Sequence, residues 1–568
     1  MSVSRNQPEP RETQVPASGQ HSQQMSSTRR WPKRVLVIGG ATVAGLLVIG
    51  GAVAALEWPR ASLASSRTSL GVLSVTGAQA RVAAVRLEVD GHTVPATMVD
   101  GRVLPTVKLP TGASAAVSIT LDRPSWIAWL AGRTQILQLA ERTPKATLLD
   151  PVAISSTGQP VRALFSSPVS EVAYSLAGSK KTLRLSHATT GVAILSPTNA
   201  PDAGDLSITA APEPWESLPS PSRMVFFQAS SSTPVAVVSP RLNDLAPEQS
   251  LSFAFSRPIA SLFGTSRPTI SPTVQGADPV KGTWSETSSY SLTFTPTAPD
   301  FWPGESFTLS FPTKIALAIG NGKVQSASTT YTLTGMPMSY MRLQELLADL
   351  GYLPVSFSPN GAHTASTMAA QLAAIVNPPA GSFTWRWSMP SELTSLWSAG
   401  ADNVITRGAV MSFEDFNGLD YSNGLSNPLL WPTLVKDILT HQMDPHSYTW
   451  IQVRKVLPET LFLWKNGSVV LTSLANTGIA GYATTNGTFP IYLRFQVNYM
   501  SGTNPNGTHY HDLVHWINYF LGGEAVHGFV RASYGFRQSL GCVELPVSVA
   551  AQVYPQVHIG TLVTVEPA

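Results

Sequence analysis

Cysteine occurs once in 568 residues, at Cys542, so no intramolecular disulfide can brace the fold, and no lipid-modified cysteine can tether the N-terminal region. Charge is also scarce, with Asp, Glu, Lys and Arg making up 12% of the chain. The net charge of +3 is unevenly spread. Residues 1–34 hold six basic and two acidic residues, so everything after them sums to −1. That leaves no basic surface for a nucleic-acid partner. The hydrophobic content, 43%, is ample for several cores, and a chain of this length is expected to split into four or more domains.

Residues 1–34 are rich in Ser, Gln, Pro, Glu and Arg, a composition that cannot offset the entropy of ordering, and they are expected to form a disordered cytoplasmic tail. From Val35 to Leu56 there follow 22 residues without a charge, enough to span a hydrocarbon core of roughly 30 Å as a helix. Arg29, Arg30, Lys33 and Arg34 precede this run, which places the N-terminus in the cytoplasm and residues 61–568 outside. Ala52-Val53-Ala54 resembles a cleavage site, but the apolar run is longer than the core of a signal peptide. A single-pass membrane anchor is therefore expected over 35–56.

Between Leu70 and Gly335 short runs of Val, Ile, Thr, Leu and Phe alternate with Pro, Gly, Ser and Asn, the punctuation of β-sandwiches. Pro151, Pro234 and Pro240 divide this stretch into sandwiches expected over 67–150, 151–236 and 237–335. After Pro337 the period changes to that of a helix. Leu343, Leu346, Leu347 and Leu350 share a face, and Gly351 stands where a left-handed C-cap is wanted. Further helical segments are expected at Ser391–Trp397, Val404–Glu414 and Trp431–Leu439, giving a small α-helical module over 338–445 with an insertion around 355–400. From Trp450 a β texture resumes and runs to Val565, with Lys465-Asn466-Gly467 as a hairpin turn. The fold class is thus a multidomain, mainly β chain.

Cys542 lies in Ser539-Leu540-Gly541-Cys542-Val543-Glu544-Leu545, fifteen positions after His527. A thiol beside a glycine and downstream of a histidine has the ingredients of a nucleophile and its base. The segment His509-Tyr510-His511-Asp512-Leu513-Val514-His515 puts alternate histidines on one strand face, as a zinc site would. No Cys or clustered carboxylate completes a site there, so no metal and no cofactor is expected.

Four blocks in order resemble the L,D-transpeptidase catalytic domain of the YkuD type over residues 450–568. They are Leu461–Gly467, Asn476-Thr477-Gly478 with Thr484–Pro490, Val526-His527-Gly528, and Ser539–Val543. Residues 237–335 resemble a bacterial immunoglobulin-like domain, here expected to be a spacer, and the string Leu343–Pro354 resembles a peptidoglycan-binding module.

The resemblance implies an all-β catalytic domain that transfers acyl groups between peptidoglycan stem peptides through a thioester on Cys542. It assigns His527 as base and Gly528 as the carbonyl that fixes its tautomer. The backbone N–H groups of Leu540, Gly541 and Cys542 become the oxyanion donors. Ser539, hydrogen-bonding within the loop, is counted with Tyr510, Arg531 and Arg537 as substrate-binding. The span between the third block's strand and its predecessor falls where the family has a lid, to which Tyr499, Tyr510, Trp516 and Tyr519 would contribute. Two positions depart from the family: Leu540 stands where histidine is common, and Glu544 where arginine or asparagine is common. Arg531 or Arg537 could replace the lost cation. Trimming of stems by water, as an L,D-carboxypeptidase, and an inactive wall-binding scaffold are the alternatives.

Overall fold

The structure is a computed structural model that describes residues 60–568 apart from 78–79, 157, 197–200, 230–232, 275–277, 320–322 and 423. The expected tail and the membrane helix at 35–56 lie outside these residues. Among the described residues no helix is long and apolar enough to cross a membrane. Two compact units emerge, one of residues 60–107 with 114–141 and one of 108–113 with 142–568.

The first unit holds two four-stranded sheets. In one, Arg60–Ala64 pairs antiparallel with Val72–Thr76, with Arg60 opposite Thr76. In the other, Arg81–Val89 pairs antiparallel with Ser114–Asp122, with Arg81 opposite Asp122. The turn after Val89 takes positive φ at Asp90 and Gly91. A seven-residue helix, Ser125–Ala131, follows, and Thr134–Arg142 returns to the sheet.

The second unit begins with a single five-stranded sheet spanning residues 152–229. Its hairpin Val161–Leu176/Ser179–Leu195 shifts register between Leu164 and Val169. A further shift falls between Val169 and Glu171, and beyond it burial moves from Val161, Ala163, Phe165 and Val169 to Val172 and Tyr174, an exchange of faces that a bulge produces in a strand of period two. An eight-stranded sheet then covers 235–334. Its core is aromatic, with Phe253, Phe255, Phe263 and Phe311 in mutual ring contact.

The α-helical region contains Tyr340–Asp349, Met368–Val376, Val404–Phe416 and Leu430–Thr440. Ser339, Thr367 and Asn403 cap three of these helices by accepting from backbone N–H groups, and Gly351 takes φ +96° just past the first helix. The stretch 355–400 forms a two-stranded sheet, Val355–Pro359 with Gly381–Trp385, around the second helix. This region is not a detached bead, since Leu346, Phe413, Trp431 and Leu434 belong to the same buried cluster as Trp450 and Leu562.

Two sheets make up residues 449–565. One orders Ser468–Leu474, Thr460–Lys465, Thr449–Arg454, Leu562–Val565 and Gly487–Pro490, and the other Leu493–Thr503, His509–Leu521, Glu524–Gly528 and Val543–Leu545. The β texture read through to Val565 is interrupted by a helix, Val547–Val553. Pro546 starts it, its fixed φ serving a helix entry, and Ala550 and Val553 are buried beneath it.

Candidate active site

Val543–Leu545 lies parallel to Glu524–Gly528, pairing Val526 with Val543, His527 with Glu544 and Gly528 with Leu545. Strand alternation carries Cys542 to the same face as Glu544 and therefore as His527. On its other side Glu524–Gly528 meets His509–Leu521, which bulges between the pairs His515–Gly528 and Asn518–Val526. Trp516 sits in that bulge at φ +59°. A bulky residue there costs about 1–3 kcal/mol, and the bulge frees the ladder opposite His527.

His527 is buried, and its Nδ1 lies 3.4 Å from the Gly528 carbonyl. A proton on Nδ1 satisfies that carbonyl and leaves Nε2 as an acceptor. Burial holds the imidazole below its ordinary pKa, opposed by Glu544 and by the Gly528 bond, so the resting ring is neutral. Gly528 has a second role. A Cβ there would stand 3.0 Å from Val547 Cα and 3.1 Å from Ala550 Cβ, so the bare backbone lets Val547–Val553 pack against the strand.

The turn before Cys542 is braced from within. Ser539 Oγ donates to the Cys542 carbonyl at 2.6 Å and accepts from the Gly541 N–H at 3.3 Å. Ser539 is buried, and these two bonds are the hydrogen bonding within the loop expected of it. They also remove one of the three expected oxyanion donors, because the Gly541 amide is turned toward Ser539. Gly541 takes φ +116°, a conformation other residues resist. Ser539 is in turn held by Thr477, whose carbonyl accepts from the Ser539 N–H at 3.0 Å, while the Ile479 N–H reaches the Ser539 carbonyl at 3.0 Å.

Cys542 is half-buried, and its Sγ lies 3.7 Å from the Gly523 carbonyl. Burial pushes the thiol up to about 12, against the Ala525 N–H, and with Glu544 and Glu524 adding to the rise. The resting pair is therefore thiol and imidazole. Tyr510 and Tyr519 stand on the hairpin Leu493–Thr503/His509–Leu521 within electrostatic reach of Cys542, and burial raises both phenols. The histidines of that hairpin make local bonds, His511 to Ser501 and His509 to Thr503. Among the described residues no cluster suited to a metal occurs.

The arginines expected to meet substrate are already partnered. Arg531 grips Glu544 with Nε at 2.8 Å and Nη2 at 2.6 Å, and its guanidinium lies 4.7 Å from the Phe529 ring. Arg537 faces Glu459 at 3.6 Å. The charge that Glu544 reverses is thus compensated inside the protein. Sequence reasoning missed Asn476, Glu459 and Glu524. Asn476 is buried, exchanges backbone bonds with Glu544 at 3.0 and 2.9 Å, and accepts from the Gly535 N–H. Glu459 is buried and accepts from the Thr477 N–H at 2.7 Å and hydroxyl at 2.8 Å. Glu524 accepts from Thr485. Only Asn476 fell in a recognised block; an isolated acid carries no signal of a distant partner.

Residues 448–565 match the family described as YkuD, L,D-transpeptidase catalytic domain. No match was found among curated proteins. Similar solved structures include an L,D-transpeptidase from Mycobacterium smegmatis, 14% identical over 58% of this chain and 97% of that one, with a TM-score of 0.20. Another is the catalytic domain from the E. faecium L,D-transpeptidase acylated by ertapenem, 26% identical over 21% of this chain and 97% of that one, TM-score 0.20. A third is L,D-transpeptidase 3 from Mycobacterium tuberculosis with a faropenem-derived adduct, 12% identical over 58% and 97%, TM-score 0.20. At such TM-scores these likenesses carry no structural argument.

Proposed function

Because residues 448–565 belong to the YkuD family of L,D-transpeptidase catalytic domains, we propose that this protein is a peptidoglycan L,D-transpeptidase that joins stem peptides through a thioester on Cys542. The observation that carries this reading is the single thiol of the chain set within electrostatic reach of Glu544, the strand partner of His527, whose buried imidazole has its Nδ1 held by the Gly528 carbonyl.

Cys542 Sγ attacks the carbonyl carbon at the L-centre of a stem's third residue. Its proton passes to Nε2 of His527 as the C–S bond forms, since the high thiol pKa leaves little thiolate beforehand. The amides of Leu540 and Cys542 are the donors for the oxyanion, with Ser539 a positioning residue that shapes their turn. The C–N bond to the terminal D-alanine then breaks, and its amine leaves with the proton from His527. An amine of a second stem attacks the thioester, gives its proton to His527, and the proton returns to the departing sulfur. Tyr510 and Tyr519 cover the site from the hairpin. Further from the chemistry, residues 35–56 anchor the chain with its catalytic domain at the wall, the β regions before residue 335 act as spacers, and the helical region resembles a glycan-binding module.

Ertapenem is the probe. Intact-mass spectrometry of the full chain should show one covalent adduct, absent from Cys542→Ala. Muropeptide analysis then separates cross-linked dimers from trimmed monomers. A parent protein that gains no mass while its thiol remains titratable removes the reading.

A further inference from the structure

The helix Ser125–Ala131 buries Ile127 and turns its other side outward. Trp129 is 80% exposed, Leu130 65% and Trp126 45%, and Ile136 on the following strand is 61% exposed. Trp126, Trp129 and Leu130 fall at positions i, i+3 and i+4, one face of a helix. Two tryptophans and two branched aliphatics left in water at one tip are unlike the scattered apolar residues of an ordinary surface.

Strand register locates this tip. Three residues, 57–59, separate the uncharged run ending at Leu56 from the strand that starts at Arg60. At no more than ~3.6 Å per residue, Arg60 lies within about 14 Å of that run. Arg60 pairs with Thr76, the end of its neighbour, and five residues later Arg81 starts the strand that pairs with Asp122. Asp122 leads directly to the exposed helix. The chain's emergence and the tryptophan helix therefore share one end of the unit. Arg60, Arg81, Arg123 and Arg133 are at the same end and outnumber Asp122. Arg123 also donates to the Ala131 carbonyl and, at 3.4 Å, to that of Gly132, closing the helix C-terminus.

We propose that this end of the first unit docks on the outer leaflet of the membrane, with Trp126, Trp129 and Leu130 at the headgroup level and the arginines against anionic lipid. Indole rings favour that depth, being apolar with one polar N–H, and a cationic rim adds attraction to anionic headgroups. The proposal rests on the reading of residues 35–56 as an anchor. It adds that the first unit is held against the bilayer by its own surface rather than swinging from a tether.

The test uses the full chain with Cys542→Ser, carrying either Ser125→Cys on the helix or Thr93→Cys at the other end, each labelled with an environment-sensitive fluorophore. The strand Arg81–Val89 separates the two ends by about 26 Å. The protein is reconstituted in phosphatidylcholine–phosphatidylglycerol vesicles containing doxyl-labelled lipid and recovered by flotation. Several-fold stronger quenching at position 125 than at 93, abolished by combining Trp126→Ser with Trp129→Ser while flotation persists, supports docking. Flotation with equal, weak quenching at both sites overturns docking and leaves the anchor standing. Failure to float overturns both. A blue shift at position 125 that depends on protein density but not on quencher lipid assigns the face to a second copy and overturns the lipid proposal.

Discussion

Two carboxylates bound the nucleophile, and only one has its charge cancelled. Glu544 is clasped by Arg531, whereas Glu524 accepts from the backbone and hydroxyl of Thr485. Both raise the Cys542 thiol, after burial, toward about 12. The rate of alkylation by iodoacetamide should therefore climb steadily from about pH 6 to 10, about tenfold per unit, with no plateau near neutrality. Glu544→Gln removes one of the two negative charges that raise the thiol, which favours thiolate, and should speed alkylation at pH 8 several-fold. A wild-type profile that levels off by pH 8 would contradict this account. At this scale Cys542, His527 and Gly528 stand out in the sequence because the features that single them out are local. The partners Glu544 and Glu459 of Arg531 and Arg537 were not legible, because they are reached only through tertiary structure, whereas the bonding of Ser539 within its own turn is local.

The strand Glu524–Gly528 and the helix Val547–Val553 meet at a residue without a side chain. Gly528→Ala should push against Val547 and Ala550, costing about 1–3 kcal/mol as overpacking does, and tilt the carbonyl that orients His527. The expected outcome is a lowered Tm together with a fall in kcat for cross-linking larger than any rise in KM. An unchanged Tm and kcat would show that the helix yields freely. The helix itself was not legible: Val547, Val549 and Val553 are β-branched and read as strand by propensity. Packing of Ala550 and Val553 beneath it overrode that preference. Capped, amphipathic helices such as Val404–Phe416 were far easier to read, since Asn403 and the spacing of Ile405, Ala409 and Phe413 are local signals.

Across the second unit, cores ignore the proline boundaries that divide the sequence. Phe227 and Val237 share one cluster, and Trp450 and Leu562 complete the core of the helical region. Gly408 and Gly560 allow a close approach, since a Cβ on Gly408 would lie 2.6 Å from the Gly560 carbonyl. A fragment of residues 448–568 should accordingly be less stable than one of 338–568, by about 3–6 kcal/mol if Trp450 and Leu562 become exposed. Equal urea midpoints for the two would disprove that dependence. Composition and periodicity revealed the mainly β class but not these shared cores, because no spacing pattern records which distant element covers a tryptophan. The single thiol also sets how the whole molecule meets an oxidant. Peroxide attacks thiolate, and a sulfur kept protonated by burial is a slow target; yet once oxidised to the sulfenic acid it has no second cysteine in the chain to resolve it. The same desolvation that makes Cys542 dependent on His527 thus serves as its protection, and its recovery from oxidation depends on a thiol supplied from outside.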